Sequence, residues 1–153
     1  MIRGEGTEII EGVTPKEVFE FVLDPAQYTK ADTKIIWVDK LADTEDGMIG
    51  LEHGKFFGLK GSVVTRYRWT EDHSKIDVTL LHGQLDKLHA WFEIEPVDGG
   101  TRIHHVEEIG MAFGPIGMVL EQVWKKTFEA SVKQEVREIK RLMEEGDRGK
   151  GPY

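Results

Sequence analysis

In the segment RIHHVEEIG, His105 and Glu107 stand two residues apart, the spacing that brings side chains to one face of a β-strand. Ile103 and Ile109 share that face. If the isoleucines point into a core, an imidazole and a carboxylate go with them, about 7 Å apart at their bases. An ionised glutamate alone in an apolar interior is costly. A histidine can supply it with a proton and a tyrosine with a hydrogen bond. Tyr67, on a second strand whose aromatic face reads inward, is the candidate tyrosine. Such a patch inside an apolar cavity could orient a ligand's carbonyl or hydroxyl. It could equally do acid–base chemistry, with His105 removing a proton next to a carbonyl, Tyr67 protonating oxygen and Glu107 raising the basicity of His105. A polar pair satisfied within the core, or a strand that flips phase at a bulge, is the structural alternative.

Other chemistries find less support. The six histidines show no HxH, HxxxH or HExxH spacing, and the neighbours His104 and His105 point to opposite strand faces. No metal and no cofactor is expected. There is no cysteine, which removes thiolate catalysis, disulfides and cysteine-ligated zinc. No G-x-S-x-G motif surrounds a serine, and Gly4 and Gly6 are too isolated for a nucleotide loop.

The positioning elements are legible in the chain. Residues 3–11 read as a strand. In VTPKEV, Thr14 can cap a helix with Pro15 in its first turn and Glu17 completing a capping box, Val13 and Val18 forming a hydrophobic staple. LDPAQY repeats that grammar, with Asp24 as cap and Gln27 as reciprocal partner. Two short consecutive helices are expected, the first over 15–23. KIIWVDKLAD, MIGLEHGKFFG, LKGSVVTRYRWTED, KIDVTLLHGQL, DKLHAWFEIEPVD and TRIHHVEEIGMAF then follow as strands with short turns, an antiparallel meander. Gly50, Gly54, Gly58 and Gly61 suggest bulges or bends and a strongly curved sheet. Finally, GPIGMVLEQVWKKTFEASVKQEVREIKRLMEEG carries Ile116, Leu120, Val123, Trp124, Phe128, Val132, Val136, Ile139, Leu142 and Met143 at helical spacing, with Glu121–Lys125 and Glu129–Lys133 as supporting i,i+4 pairs. About 30 helical residues would span roughly 45 Å.

Inward phase follows from alternation. Ala90, Phe92 and Ile94 point inward, leaving Trp91 outside. Val63, Thr65, Tyr67 and Trp69 point inward on the fourth strand. Ile35, Trp37 and Leu41 share a face with Asp39 on the second, and the third strand has no readable phase.

With 153 residues and a hydrophobic fraction of 39%, the chain suits one domain with one core. That domain is expected over 1–145, with 146–153 as a disordered tail. A net charge of −8 and the lack of a basic cluster argue against nucleic acid. No apolar run approaches the roughly 20 residues of a membrane span, and no secretory signal is seen. A cytoplasmic protein, monomeric or homodimeric, is expected.

One strand, two short helices, six antiparallel strands and a long closing helix is the element order of the helix-grip fold. VTPKEVFEFVLDPAQY resembles the opening signature of the START/polyketide cyclase (SRPBCC) superfamily. FEIEPVDGGTRI resembles its penultimate hairpin, and FEASVKQEVREIKRLME its closing helix. Together the resemblance covers residues 3–145. It implies an α+β fold in which a seven-stranded curved antiparallel sheet wraps around the C-terminal helix and leaves a cavity between them. Under that resemblance Trp37, Tyr67, Trp69, Phe92, Leu120, Trp124 and Phe128 would supply apolar contacts to a lipid, quinone or polyketide-like molecule, and His105, Glu107 and Tyr67 would orient it. A cyclase or dehydratase using His105, Tyr67 and Glu107 is the catalytic alternative. A chaperone-associated domain using the outer sheet face has only Trp91 in its favour.

Overall fold

The fold was obtained as a computed structural model, which describes residues 1–56 and 58–146. In chain order the elements are β1 (Ile2–Glu11), α1 (Pro15–Leu23), α2 (Pro25–Tyr28), β2 (Ile35–Thr44), β3 (Gly47–Phe56), β4 (Leu59–Trp69), β5 (Lys75–Gly83), β6 (Leu85–Val97), β7 (Gly100–Met111) and α3 (Gly114–Glu144). The strands form one antiparallel sheet in the order β1-β7-β6-β5-β4-β3-β2. Consecutive hairpins build six strands, and β1 closes against the last of them. The two short helices carry the chain from one sheet edge to the other. This is the seven-stranded helix-grip arrangement expected from the sequence. Of the tail expected over 146–153, Gly146 is a described turn residue at φ 82° after the helix end, and 147–153 lie outside the described residues.

Local chemistry sets the first turn of α1. Thr14 Oγ1 accepts from the Glu17 N–H at 3.2 Å, and Glu17 Oε2 accepts from the Thr14 N–H at 2.9 Å. At the kink, Asp24 Oδ1 accepts from the Ala26 N–H at 3.1 Å and so caps α2. Val18, Phe19, Phe21 and Val22 of α1 enter a core that also holds Ile76, Val78, Phe92, Ile94 and Ile103 from the sheet and Val136, Ile139 and Met143 from α3. A smaller cluster of Ile2, Ile109, Phe128 and Val132 lies farther toward the start of α3.

The long helix packs directly on β1, and two glycines permit it. A Cβ on Gly4 would stand 2.7 Å from Val132 Cγ2, and one on Gly6 would stand 3.2 Å from the Lys133 Cα. The isolated glycines of the first strand thus have a packing role. The single apolar stripe expected along α3 does not hold over its first turns. Ile116 and Val123 are about two-thirds exposed, because this part of the helix extends past the cluster around Phe128 and faces outward. Glu121 does not form its expected pair with Lys125. It turns inward, accepting the Met111 N–H at 2.8 Å and pairing with the terminal amine of Met1.

Two of the register breaks fall opposite glycines of the third strand, Gly54 across from Ile35 and Gly50 across from Lys40. β3 and β4 pair without interruption from Gly47–Arg68 to Phe56–Leu59. The shifts lie in β2 (between Ile35 and Trp37, and between Lys40 and Ala42), between Val64 and Thr65, and between Leu85 and Lys87. Gly50 also makes room for a neighbour, since a Cβ there would meet the Tyr67 ring and Val38 at 3.1 Å. On the outer face Trp91 stands opposite Val106, tilts against His89, carries the Arg3 guanidinium over its ring and donates to Glu93. Its outward position is filled by these neighbours.

Candidate functional site

The alternation of β7 places Ile103, His105, Glu107 and Ile109 on the concave face, all buried. His105 is 1% exposed. Its Nδ1 donates to the Trp91 carbonyl at 3.0 Å, and the Phe92 ring stacks on it in parallel at 3.9 Å. Its Nε2 faces Glu135 Oε1 at 3.2 Å and Glu107 Oε2 at 3.7 Å. The Nε2 contacts are ion pairs rather than aligned hydrogen bonds. Burial alone would push the imidazole pKa down. The adjacent Glu135 and Glu107 carboxylates outweigh it and raise the value to about 10. The ring is therefore an imidazolium at neutral pH, with no lone pair available for proton abstraction.

A second cation completes the cluster. Lys34, in the loop that leads into β2, puts its Nζ 3.0 Å from Glu135 Oε2, 3.2 Å from Asp32 Oδ1 and 3.4 Å from Glu107 Oε2. Tyr28, at the end of α2, donates its hydroxyl to Glu135 Oε1. Glu135 comes from α3, so the network ties α2, the loop after it, β7 and the long helix together. Burial raises the Glu135 carboxyl, but Lys34 and His105 override it and hold the pKa well below the usual carboxylate range. Asp32 goes the other way. Burial and the charge of Glu135 lift it to about 7 against the opposing pull of Lys34. His105, Glu107 and Glu135 offer ligand atoms within 4.8 Å of one another, a spacing that could hold a metal ion. Lys34 Nζ already lies against both carboxylates, so the protein's own ammonium occupies that role.

Tyr67 belongs to a separate group. Its hydroxyl donates to Glu52 Oε1, which also accepts from Thr65 Oγ1 at 3.0 Å. Burial and the neighbouring Glu52 charge push the phenol well above its ordinary value. Both groups face one cavity between the sheet and the short helices. It encloses about 640 Å³ of empty space, counting its mouth and the crevices between side chains. Polar walls come from Tyr28, Asp32, Glu52, Tyr67, His105 and Glu107, and apolar walls include Val38, Met48, Val78, Leu88 and Phe92.

Of the residues expected to bind a ligand, Tyr67, Phe92, His105 and Glu107 line this cavity. Trp124 lines a second one. The structure places the others differently. Trp37 is 42% exposed and donates to Asp39, because the register shift after Ile35 turns Val38, not Trp37, inward. Trp69 packs edge-on against Phe19 at 6.2 Å and belongs to the core margin. Phe128 is 1% exposed within its apolar cluster, where Lys34 Nζ lies 6.0 Å from its ring centroid. Leu120 is half-buried and lines neither cavity.

Sequence reading missed Tyr28, Asp32, Lys34, Glu52 and Glu135. One signal was present: Glu135 sits three residues after Val132 and four before Ile139, an acid on the apolar stripe of α3. Asp32 and Lys34 lie in a connection without periodicity, and the third strand, with Glu52, had no readable phase.

Residues 1–144 match the family described as polyketide cyclase / dehydrase and lipid transport. No curated protein matches the chain. Solved structures do. TTHA0849 from Thermus thermophilus is 13% identical with a TM-score of 0.78, the match covering 91% of this chain and 94% of the other. A START superfamily protein from Mycobacterium smegmatis is 17% identical with a TM-score of 0.71, covering 92% and 98%. The Zhui aromatase/cyclase from Streptomyces sp. R1128 is 15% identical with a TM-score of 0.69, covering 92% and 94%. At such identities these neighbours speak for the fold, whereas the match over residues 1–144 speaks for kinship: the chain belongs to the polyketide cyclase / dehydrase and lipid transport family.

Proposed function

We propose that the protein binds a hydrophobic or amphipathic small molecule in the cavity between the sheet and its two short helices, rather than between the sheet and the C-terminal helix as the sequence suggested. The carrying observation is the cavity wall itself. Apolar side chains there surround a few convergent polar groups, the composition of a small-molecule site. Phe92, Leu88, Val78 and Met48 would supply apolar contact, and Glu52, Tyr67 and Glu107 orientation.

The catalytic reading has weaker support. A general base needs an unprotonated atom within reach of the substrate. His105 has Nδ1 committed to a carbonyl and Nε2 turned toward two carboxylates. Tyr67 is engaged with Glu52, away from the His105 cluster.

Titration with Nile red, a neutral apolar fluorophore, tests the binding reading. Saturable uptake of one molecule per chain is expected. Ala90→Trp places an indole among the cavity walls and should abolish uptake while leaving the circular dichroism spectrum intact. Absence of saturable uptake by the parent protein, or equal uptake by a folded Ala90→Trp variant, refutes the proposal.

A further inference from the structure

Glu52 is a buried acid that the His105 cluster does not explain. It is 5% exposed, and among the described residues no lysine, arginine or histidine pairs with it. Both hydroxyl donors converge on Oε1. Oε2 receives no hydrogen bond from the described residues, yet it is not among the sealed, unsatisfied buried atoms. It therefore opens onto the cavity surface. A second cavity of about 670 Å³, counted the same way, lies beyond it and is lined by Leu59, Val63, Leu85, Met111 and Trp124 among others. Ile35 and Glu52 form walls of both cavities, so Glu52 stands where the two meet.

The surrounding charges sharpen the point. Four acids (Asp32, Glu52, Glu107, Glu135) and two bases (Lys34, His105) are buried in this part of the fold, a formal −2 when all are ionised. Neither cation is turned toward the ligand space. Lys34 faces Asp32, Glu107 and Glu135, and His105 faces Glu135 and Glu107. A carboxylate entering beside Glu52 would bring further negative charge into a desolvated stretch whose two buried cations are already paired, while Lys60, on the wall of the second cavity, is exposed at the surface. A hydroxyl or ammonium group would give Glu52 Oε2 the donor that the protein does not provide.

We propose that the two cavities form one elongated ligand site with Glu52 at its waist, and that Glu52 selects apolar ligands carrying a hydrogen-bond donor over those carrying a carboxylate. This inference rests on the cavity-binding reading above. It is tested with three probes of equal chain length, decan-1-ol, decylamine and decanoate, by calorimetric titration at pH 7.5 in 0.3 M salt. The alcohol and the amine should each bind at least tenfold more tightly than decanoate. Glu52→Gln keeps an acceptor for Tyr67 and Thr65 but removes the charge. It should shift the decanoate-to-decanol affinity ratio at least fivefold toward decanoate and weaken decylamine, and a thermal melt verifies that it folds. Because Glu52 is buried, attraction of the amine to the acidic surface is common to both proteins and cancels in that comparison. The parent series alone decides the matter if the variant does not fold. Decanoate binding as tightly as decanol to the parent protein, or a ratio unchanged in folded Glu52→Gln, overturns donor selection while leaving the cavity reading intact. Failure of all three probes to bind overturns both.

Discussion

Replacing Lys34 with methionine keeps most of the side-chain volume and removes one buried charge. The ammonium touches three carboxylates at 3.0 to 3.4 Å. At an effective dielectric near 20, each contact is worth about 5 kcal/mol of Coulomb energy. Most of that gross attraction is offset by desolvating the ammonium and by crowding the acids. What remains when one member of a buried ion pair is deleted is about 3–5 kcal/mol, because the partners stay buried without compensation. That is a large share of the ~5–15 kcal/mol that holds a domain together. With a urea slope near 2 kcal/mol per M, the unfolding midpoint should drop by about 1.5–2.5 M. The cost should also depend on pH. Asp32, which titrates near pH 7, carries its proton at pH 5, so Lys34 then balances one carboxylate fewer. Urea unfolding of parent and Lys34→Met at pH 5 and pH 8.5 should therefore show the smaller difference at pH 5. A cost below about 1 kcal/mol at both values would mean that the cluster is hydrated or rearranges freely, and the argument for a rigid, ion-paired cavity wall would fail.

The parent protein should lose stability from pH 6.5 to pH 10. His105 is raised in the folded state, so its contribution is complete below its unfolded value near 6.5 and disappears as pH climbs through about 10, at up to about 1.4 kcal/mol per pH unit. Asp32, raised to about 7, adds a loss in the same direction as pH rises to that value. Glu135, lowered, acts oppositely and removes stability only in acid. A flat urea midpoint between pH 6.5 and 9.5 would contradict this. Gly4→Ala should cost about 1–3 kcal/mol by overpacking, since its Cβ would stand 2.7 Å from the buried Val132. A melting temperature within 1 °C of the parent would show that α3 can shift without penalty. Thr14→Ala should cost about 1 kcal/mol through loss of the cap, with urea midpoints as the check. Thr14→Ser should restore most of it.

What the sequence revealed depended on the range of the interaction concerned. The capping box at Thr14 and Glu17 is contained in four residues, and both of its hydrogen bonds form. The inward phase of Ile103, His105, Glu107 and Ile109 comes from backbone geometry alone and is the observed one. Trp37 failed for an equally physical reason. A register shift between Ile35 and Trp37 reverses the side chains up to the next shift after Lys40, and the glycine opposite it, Gly54, lies on the neighbouring strand. The outward turns of α3 failed because amphipathic spacing states which residues could share a face, not whether anything lies opposite. Ile116 and Val123 keep the spacing and remain exposed.

The site was legible by half, and the missing half is the more consequential. His105 and Glu107 could be read as an acid–base couple only while their partners were unknown. Once Lys34 and Glu135 are in place, the same two residues become members of a closed ion network whose charges face one another. Buried charges of this kind are poor sources of net stability, so their presence calls for a reason other than holding the fold. The geometry supplies one. By pairing with Asp32, Glu107 and Glu135, Lys34 and His105 leave Glu52 as the cavity carboxylate without a cation partner among the described residues, with two hydroxyl donors on one oxygen and none on the other. Recognition is then concentrated at one atom beside the junction of two apolar chambers. A network that neutralised Glu52 as well would leave a cavity able to hold apolar molecules but unable to distinguish among their polar ends.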